Sequence, residues 1–93
     1  MPYLFEWDSR KAVANLRKHR VTFEDATTAF ADPLGLLRDD PAHSLDEARF
    51  LLLASSRAGK LLVIAFAERA PRTRIISARH ATRLERRQYE NEH

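Results

Sequence analysis

Between Arg72 and Tyr89 stand six arginines and a single acid, Glu85. Residues 1–67 carry nine Lys/Arg and nine Asp/Glu, which cancel, so residues 68–93 account for the whole formal charge of +3. A local cationic face on a neutral body suits a polyanionic ligand. Releasing counterions from its phosphates would drive binding and make it salt-sensitive. Within this stretch Arg69, Arg74 and Arg79 are the candidate phosphate ligands, because a planar guanidinium fork pairs phosphate oxygens bidentately. Glu68 and His80 stand beside them as a carboxylate and an imidazole able to move protons near neutral pH. Lys18, Arg83, Arg86 and Arg87 are further candidate contacts to a phosphate backbone. A solvated strand edge and helix face is the plainer account of the same charges.

These residues need elements to position them. The aromatic stretch Tyr3 to Trp7 reads as a short strand or extended lead-in. Asp8 is a fair N-cap for a helix reaching about His19, with Ala12, Val13 and Leu16 as its inward stripe. Thr22-Phe23-Glu24-Asp25 resembles a capping box opening a second helix, which buries Phe23, Ala26 and Phe30 and stops at Asp32-Pro33. Strands are expected over Leu34–Leu37, Arg49–Ala54, Leu61–Ala67 and Arg72–Ser77. The third of these is apolar throughout and so central. Polar turns separate them at Arg38–Asp46, Ser55–Gly59 and Glu68–Pro71, with Gly59 available for a positive φ. Thr82-Arg83-Leu84-Glu85 matches a capping box in full and starts the last helix. The result is a two-layer α+β domain, one domain over residues 1–93. Its antiparallel sheet packs against two N-terminal helices and one C-terminal helix.

Other chemistries find less support. There is no cysteine, hence no disulfide or thiolate metal site, which fits a reducing compartment. No apolar run approaches a membrane span, and the N-terminus lacks the pattern of a signal peptide, so the chain reads as cytoplasmic. His19, His43, His80 and His93 lack zinc spacing, and Asp39-Asp40 and Asp46-Glu47 sit among turn formers. No metal and no cofactor are expected. His19 reads as a helix C-terminal residue, Phe5 and Trp7 as core, and Tyr89 as half-buried.

Taken in order, several blocks form a series. They are Phe5-Glu6-Trp7-Asp8, Asn15-Leu16-Arg17-Lys18-His19, Val21-Thr22-Phe23-Glu24-Asp25-Ala26, Phe30-Ala31-Asp32-Pro33, Glu47-Ala48-Arg49-Phe50, Glu68-Arg69, Arg74-Ile75-Ile76-Ser77-Ala78-Arg79 and Glu85-Arg86-Arg87-Gln88-Tyr89. The series resembles the BrnT toxin family over nearly the whole chain. Arg20 stands where that family usually has Gly, and His80 where a Lys is common. The resemblance implies a RelE-like fold and an endoribonuclease toxin of a type II toxin–antitoxin pair. It implies RNA as substrate and, as partner, a small antitoxin with a ribbon-helix-helix DNA-binding domain, through which alone operator DNA would be reached. A metal-free ribonuclease of this kind needs a base for the attacking 2′-hydroxyl, an acid for the leaving oxygen, and cations at the phosphorane. Glu68 would be the base or orient an arginine, His80 or Lys18 the acid, and Arg69, Arg74 and Arg79 the cations. The toxin would cleave RNA and inhibit translation. The alternative is a non-catalytic RNA-binding module, or a corepressor acting through a DNA-binding partner.

Overall fold

The computed structural model describes residues 4–43 and 47–92. The expectations that fall on Tyr3, Ser44–Asp46 and His93 lie outside them. Strand β1 (Leu4–Glu6) leads into helix α1 (Ser9–His19). The Asp8 carboxylate caps α1 by accepting the Arg10 and Lys11 N–H groups at 2.7 and 3.3 Å. The helix ends on Arg20, whose φ of 61° is left-handed. Helix α2 (Phe23–Thr28) starts at Thr22, whose hydroxyl accepts the Asp25 N–H at 3.0 Å, and runs into a 3-10 turn at Ala29–Ala31. Strands β2 (Leu36–Asp39), β3 (Arg49–Ser55), β4 (Leu61–Arg69) and β5 (Arg72–His80) follow, with a 3-10 turn at Pro41–His43. Helix α3 (Arg83–Asn91) opens with the expected capping box, complete in both directions.

The α+β class and the three helices stand as expected; two features of the architecture differ. The strand order is β1-β5-β4-β3-β2, and β1 runs parallel to β5, so the sheet is mixed. Helices also cover both faces, making three layers instead of two. The pleat of central β4 explains this. Leu62, Ile64 and Phe66 join Phe23, Ala26 and Ile75 in one core cluster, while Leu61 and Val63 join Leu53 in a second. Helices α1 and α2 pack over the first face. Ala81 and Tyr89 of the α3 region cover the second. Burying a large apolar side chain contributes about 1.5–3 kcal/mol, so neither face can be left wet. The register adds one irregularity. Ala65 pairs with Ser77 and Phe66 with Ile75, which leaves Ile76 as a bulge and reverses the pleat of β5 on either side of it.

Helix α1 keeps Ala12 against the core as expected but turns the rest of its expected stripe outward. Val13 and Leu16 are 57% and 45% exposed, and the buried residue is Asn15. Its Nδ2 donates to the carbonyls of Val21 and Ala78 at 2.9 and 2.8 Å, and its Oδ1 accepts the Ala78 N–H at 3.0 Å. Strand β1 pairs with β5 only from Arg72 to Arg74. At Ala78 the Asn15 amide therefore takes the place of a neighbouring strand's peptide. A buried peptide edge left open costs more than two exposed apolar side chains, which decides the orientation.

Helix α3 is held by two charged contacts. The Arg79 fork donates to both Glu85 oxygens at 2.7 and 2.9 Å, and the Tyr89 hydroxyl donates to Asp32 Oδ2 at 2.6 Å. Asp32 also accepts the Ser55 and Leu34 N–H groups, tying α3 to the start of the sheet. The Asp32 carboxylate pushes the Tyr89 phenol up to about 12. Arg79, then the Thr82 N–H, draws the Glu85 carboxyl down from 4.5 to about 2 against the opposing effect of burial.

Three outcomes are expected. Asn15→Ala should lower stability by about 2–4 kcal/mol in denaturant unfolding, since three buried backbone groups lose their partner. Arg20→Gly should raise it by about 1 kcal/mol, because only glycine adopts a left-handed φ without a Cβ penalty. Glu85 binds its proton more weakly when folded, so its contribution is full above pH 4.5 and disappears as the pH falls toward 2. Wild type should lose melting temperature through that window, and Glu85→Gln should lose less of it.

Candidate active site

The α3-bearing face of the sheet is open at one end. Helix α3 covers the region around Leu53 and Val63, whereas Arg49, Ala67 and Arg74 lie further along as directly paired neighbours on β3, β4 and β5. Glu6 of β1 pairs with Arg74 and completes this row across four strands. Ala67 in its middle is small and leaves the long side chains on either side room to meet above it. Arg69, two residues along β4, projects from the same face.

The side chains form a continuous chain of charge. Arg69 Nε donates to Glu47 Oε2 at 2.7 Å, and its Nη2 donates to Glu47 Oε1 at 3.1 Å. Arg49 Nη2 lies 3.8 Å from Glu47 Oε1. On the other side Arg69 Nη1 is 3.9 Å from Glu6 Oε2, to which Arg74 Nη1 donates at 2.9 Å. Three guanidiniums thus surround two carboxylates. Arg69 is the most open at 48% side-chain exposure; the two glutamates are about half as exposed, at 23% and 24%. The Arg69 hydrogen bond holds Glu47 below the usual carboxylate range and raises Arg69 in turn. Both remain charged at neutral pH. Such a cluster offers one net positive charge and several forks to a phosphate, with a carboxylate alongside.

The expected site residues divide. Arg69 and Arg74 are brought together. Glu68 is not brought to them: β4 continues through Arg69, paired with Arg72, so successive side chains leave on opposite faces. Glu68 accepts a hydrogen bond from the buried Thr73 at 3.3 Å on the α2 side. Arg79 shares the face of Arg74 only because of the bulge at Ile76. It lies four rows away, about 13 Å along the strand, and its fork is occupied by Glu85. His80 is exposed at the end of β5, where its carbonyl accepts from Arg79 at 3.3 Å. Arg83, Arg86 and Arg87 are exposed on α3, and Lys18 on α1. Among the described residues no three His, Cys, Asp or Glu side chains converge as metal ligands do, and no helix is long and apolar enough to cross a membrane.

Glu6, Glu47 and Arg49 are the members that sequence reasoning missed. They stand inside two of the blocks noted above, but nothing in local spacing joins them. Glu6 meets Arg74 across 68 positions.

Residues 7–85 match the family described as ribonuclease toxin, BrnT, of type II toxin-antitoxin system. The crystal structure of the Brucella abortus ribonuclease toxin, BrnT, superposes with a TM-score of 0.64 over 87% of this chain and 99% of that one, at 19% identity, a likeness of fold. No curated protein matches the sequence. With the family match running from just before α1 through β2, β3, β4 and β5 into α3, the chain belongs to the BrnT family of ribonuclease toxins of type II toxin–antitoxin systems.

Proposed function

We propose that the chain is a metal-independent endoribonuclease whose reacting phosphate sits at the Arg49–Arg69–Arg74 cluster. The observation that carries this reading is the convergence of three arginines and two glutamates on an open end of the sheet. Glu47 lies outside any strand, whereas Glu6 is fixed within β1. An incoming phosphate displaces Glu47 from Arg69, and Glu6 stays. Glu6 then takes the proton of the 2′-hydroxyl as that oxygen attacks the adjacent phosphorus. The bond to the 5′-oxygen breaks, the leaving oxygen takes a proton from water at this open end, and a 2′,3′-cyclic phosphate remains. Arg69 and Arg74 stabilise the charge that builds on the phosphorane. Arg83, Arg86 and Arg87, exposed on α3, continue the cationic track away from the cluster and hold the rest of the strand. In the cell this activity inhibits translation in the cytoplasm until a cognate antitoxin, with a ribbon-helix-helix domain that reaches operator DNA, masks the toxin.

The test is cleavage of RNA by the purified chain in chelator. Arg69→Ala should stay folded by circular dichroism and lose roughly 10²–10³ in rate, the cost of one preorganised charge-stabilising donor. Arg69→Lys should recover only part of it, because the charge returns without the fork. RNA bound tightly but left intact by wild type would make the chain a binding module. Undiminished cleavage by a folded Arg69→Ala protein would move the reacting phosphate elsewhere.

A further inference from the structure

On the opposite face from the arginine cluster, at the same end of β4, lies a hollow of about 190 Å³ lined by Phe30, Leu37, Phe50, Leu52, Phe66 and Glu68. Phe50 and Phe66 stack with centroids 5.5 Å apart, and Phe30 meets Phe66 edge-on at 5.0 Å. Leu37 stands at its rim on the edge strand β2, 62% exposed. The lining contains one charged group, the Glu68 carboxylate. Its Oε1 is oriented by the buried Thr73 hydroxyl, and its Oε2 has no partner among the described residues. Flat apolar walls with one oriented carboxylate at the rim match the two surfaces of a nucleobase, an aromatic face and a hydrogen-bonding edge.

Position in the fold adds the second argument. Glu68 and Arg69 are consecutive, their Cα atoms about 3.8 Å apart, and the pleat sends them to opposite faces of one strand end. An RNA strand passing round this end of the β4–β5 hairpin meets a phosphate ligand on one face and the hollow on the other. We propose that the hollow is a guanine-selective base site, with Glu68 as the specificity residue; this rests on the ribonuclease reading above. The selectivity follows from donor patterns. The two carboxylate oxygens accept side by side, and guanine presents two adjacent donors, N1–H and the N2 amine. Adenine and cytosine set an acceptor beside their amino group, and uracil flanks its single N–H with carbonyls. Each of those would face a carboxylate oxygen with a lone pair.

The test compares cleavage of short RNAs that carry one guanosine, or inosine in its place, in otherwise adenosine- and uridine-only sequence. Inosine lacks only the N2 amine. Wild type should cut the guanosine RNA about 10-fold or more faster in kcat/KM, the loss of the one hydrogen bond that the N2 amine donates to a charged acceptor. In Glu68→Ala the ratio should fall to about 1. Leu37→Trp, which fills the hollow from an exposed position, should lower the ratio with the carboxylate intact, so the result does not depend on Glu68 alone. Equal cutting of both RNAs by wild type, or a ratio that survives both variants, overturns the base site and leaves the arginine cluster standing. A folded wild type that cuts neither RNA nor total RNA overturns both. Loss of antitoxin binding in Leu37→Trp with no guanosine preference in wild type would also overturn it, making the hollow a protein-docking surface.

Discussion

The three hydrogen bonds of the Asn15 amide hold the rest of the arrangement in place. Strand β1 is only three residues long, so the outer edge of β5 beyond Arg74 has no strand beside it. Asn15 fills that gap at Ala78 and at the same time holds Val21 in the link between α1 and α2. One side chain thus joins the first helix, the approach to the second and the strand that carries Arg74 and Arg79. A satisfied amide in a buried setting permits one orientation, whereas apolar contacts tolerate several. The consequence for α1 is visible in Val13 and Leu16, which face outward so that Asn15 can face in.

The bulge at Ile76 has a comparable effect on the charged face. Arg74 and Arg79 are an odd number of residues apart, and a regular strand would send them to opposite faces. The extra residue brings both to the α3 side while keeping Ile75 and Ala78 in the core. Their tasks then separate. Arg79 is bound by a carboxylate that is itself half of a helix cap, so its charge serves the docking of α3. Arg69 is nearly half exposed and held by Glu47 outside any strand, so a phosphate can compete for it. The two arginines make similar bidentate pairs at similar exposure, 48% and 40%; the placement of the partner distinguishes them.

The end of β4 borders both the charged cluster and the aromatic hollow. Its pleat divides Glu68 from Arg69, which gives one short segment access to both faces of the sheet. Ala67, just before them, is small enough to let Arg49 and Arg74 approach across the strand. Helix α3 covers the other end of that face and leaves this one open. A cationic cluster on one side and an aromatic hollow on the other are therefore consequences of the same few residues.

The residues alone determined what local hydrogen bonding and periodicity can encode. Asp8, Thr22 and Thr82 mark the helix starts because their side chains cap nearby N–H groups. Gly59 marks its turn by φ, and the continuous apolar run from Leu61 marks the central strand. The excess of arginine after residue 67 is likewise a property of the chain, as is the series of blocks that resembles its family. Which face each residue occupies was decided by tertiary structure. The parallel pairing of β1 with β5, the bulge at Ile76 and the inward turn of Asn15 each depend on partners dozens of positions away. Arg69 finds Glu47 across 22 residues, and Arg74 finds Glu6 across 68. A side chain's neighbours along the chain fix its spacing, but only sheet register fixes what stands opposite it, and one residue of slip sends it to the other face.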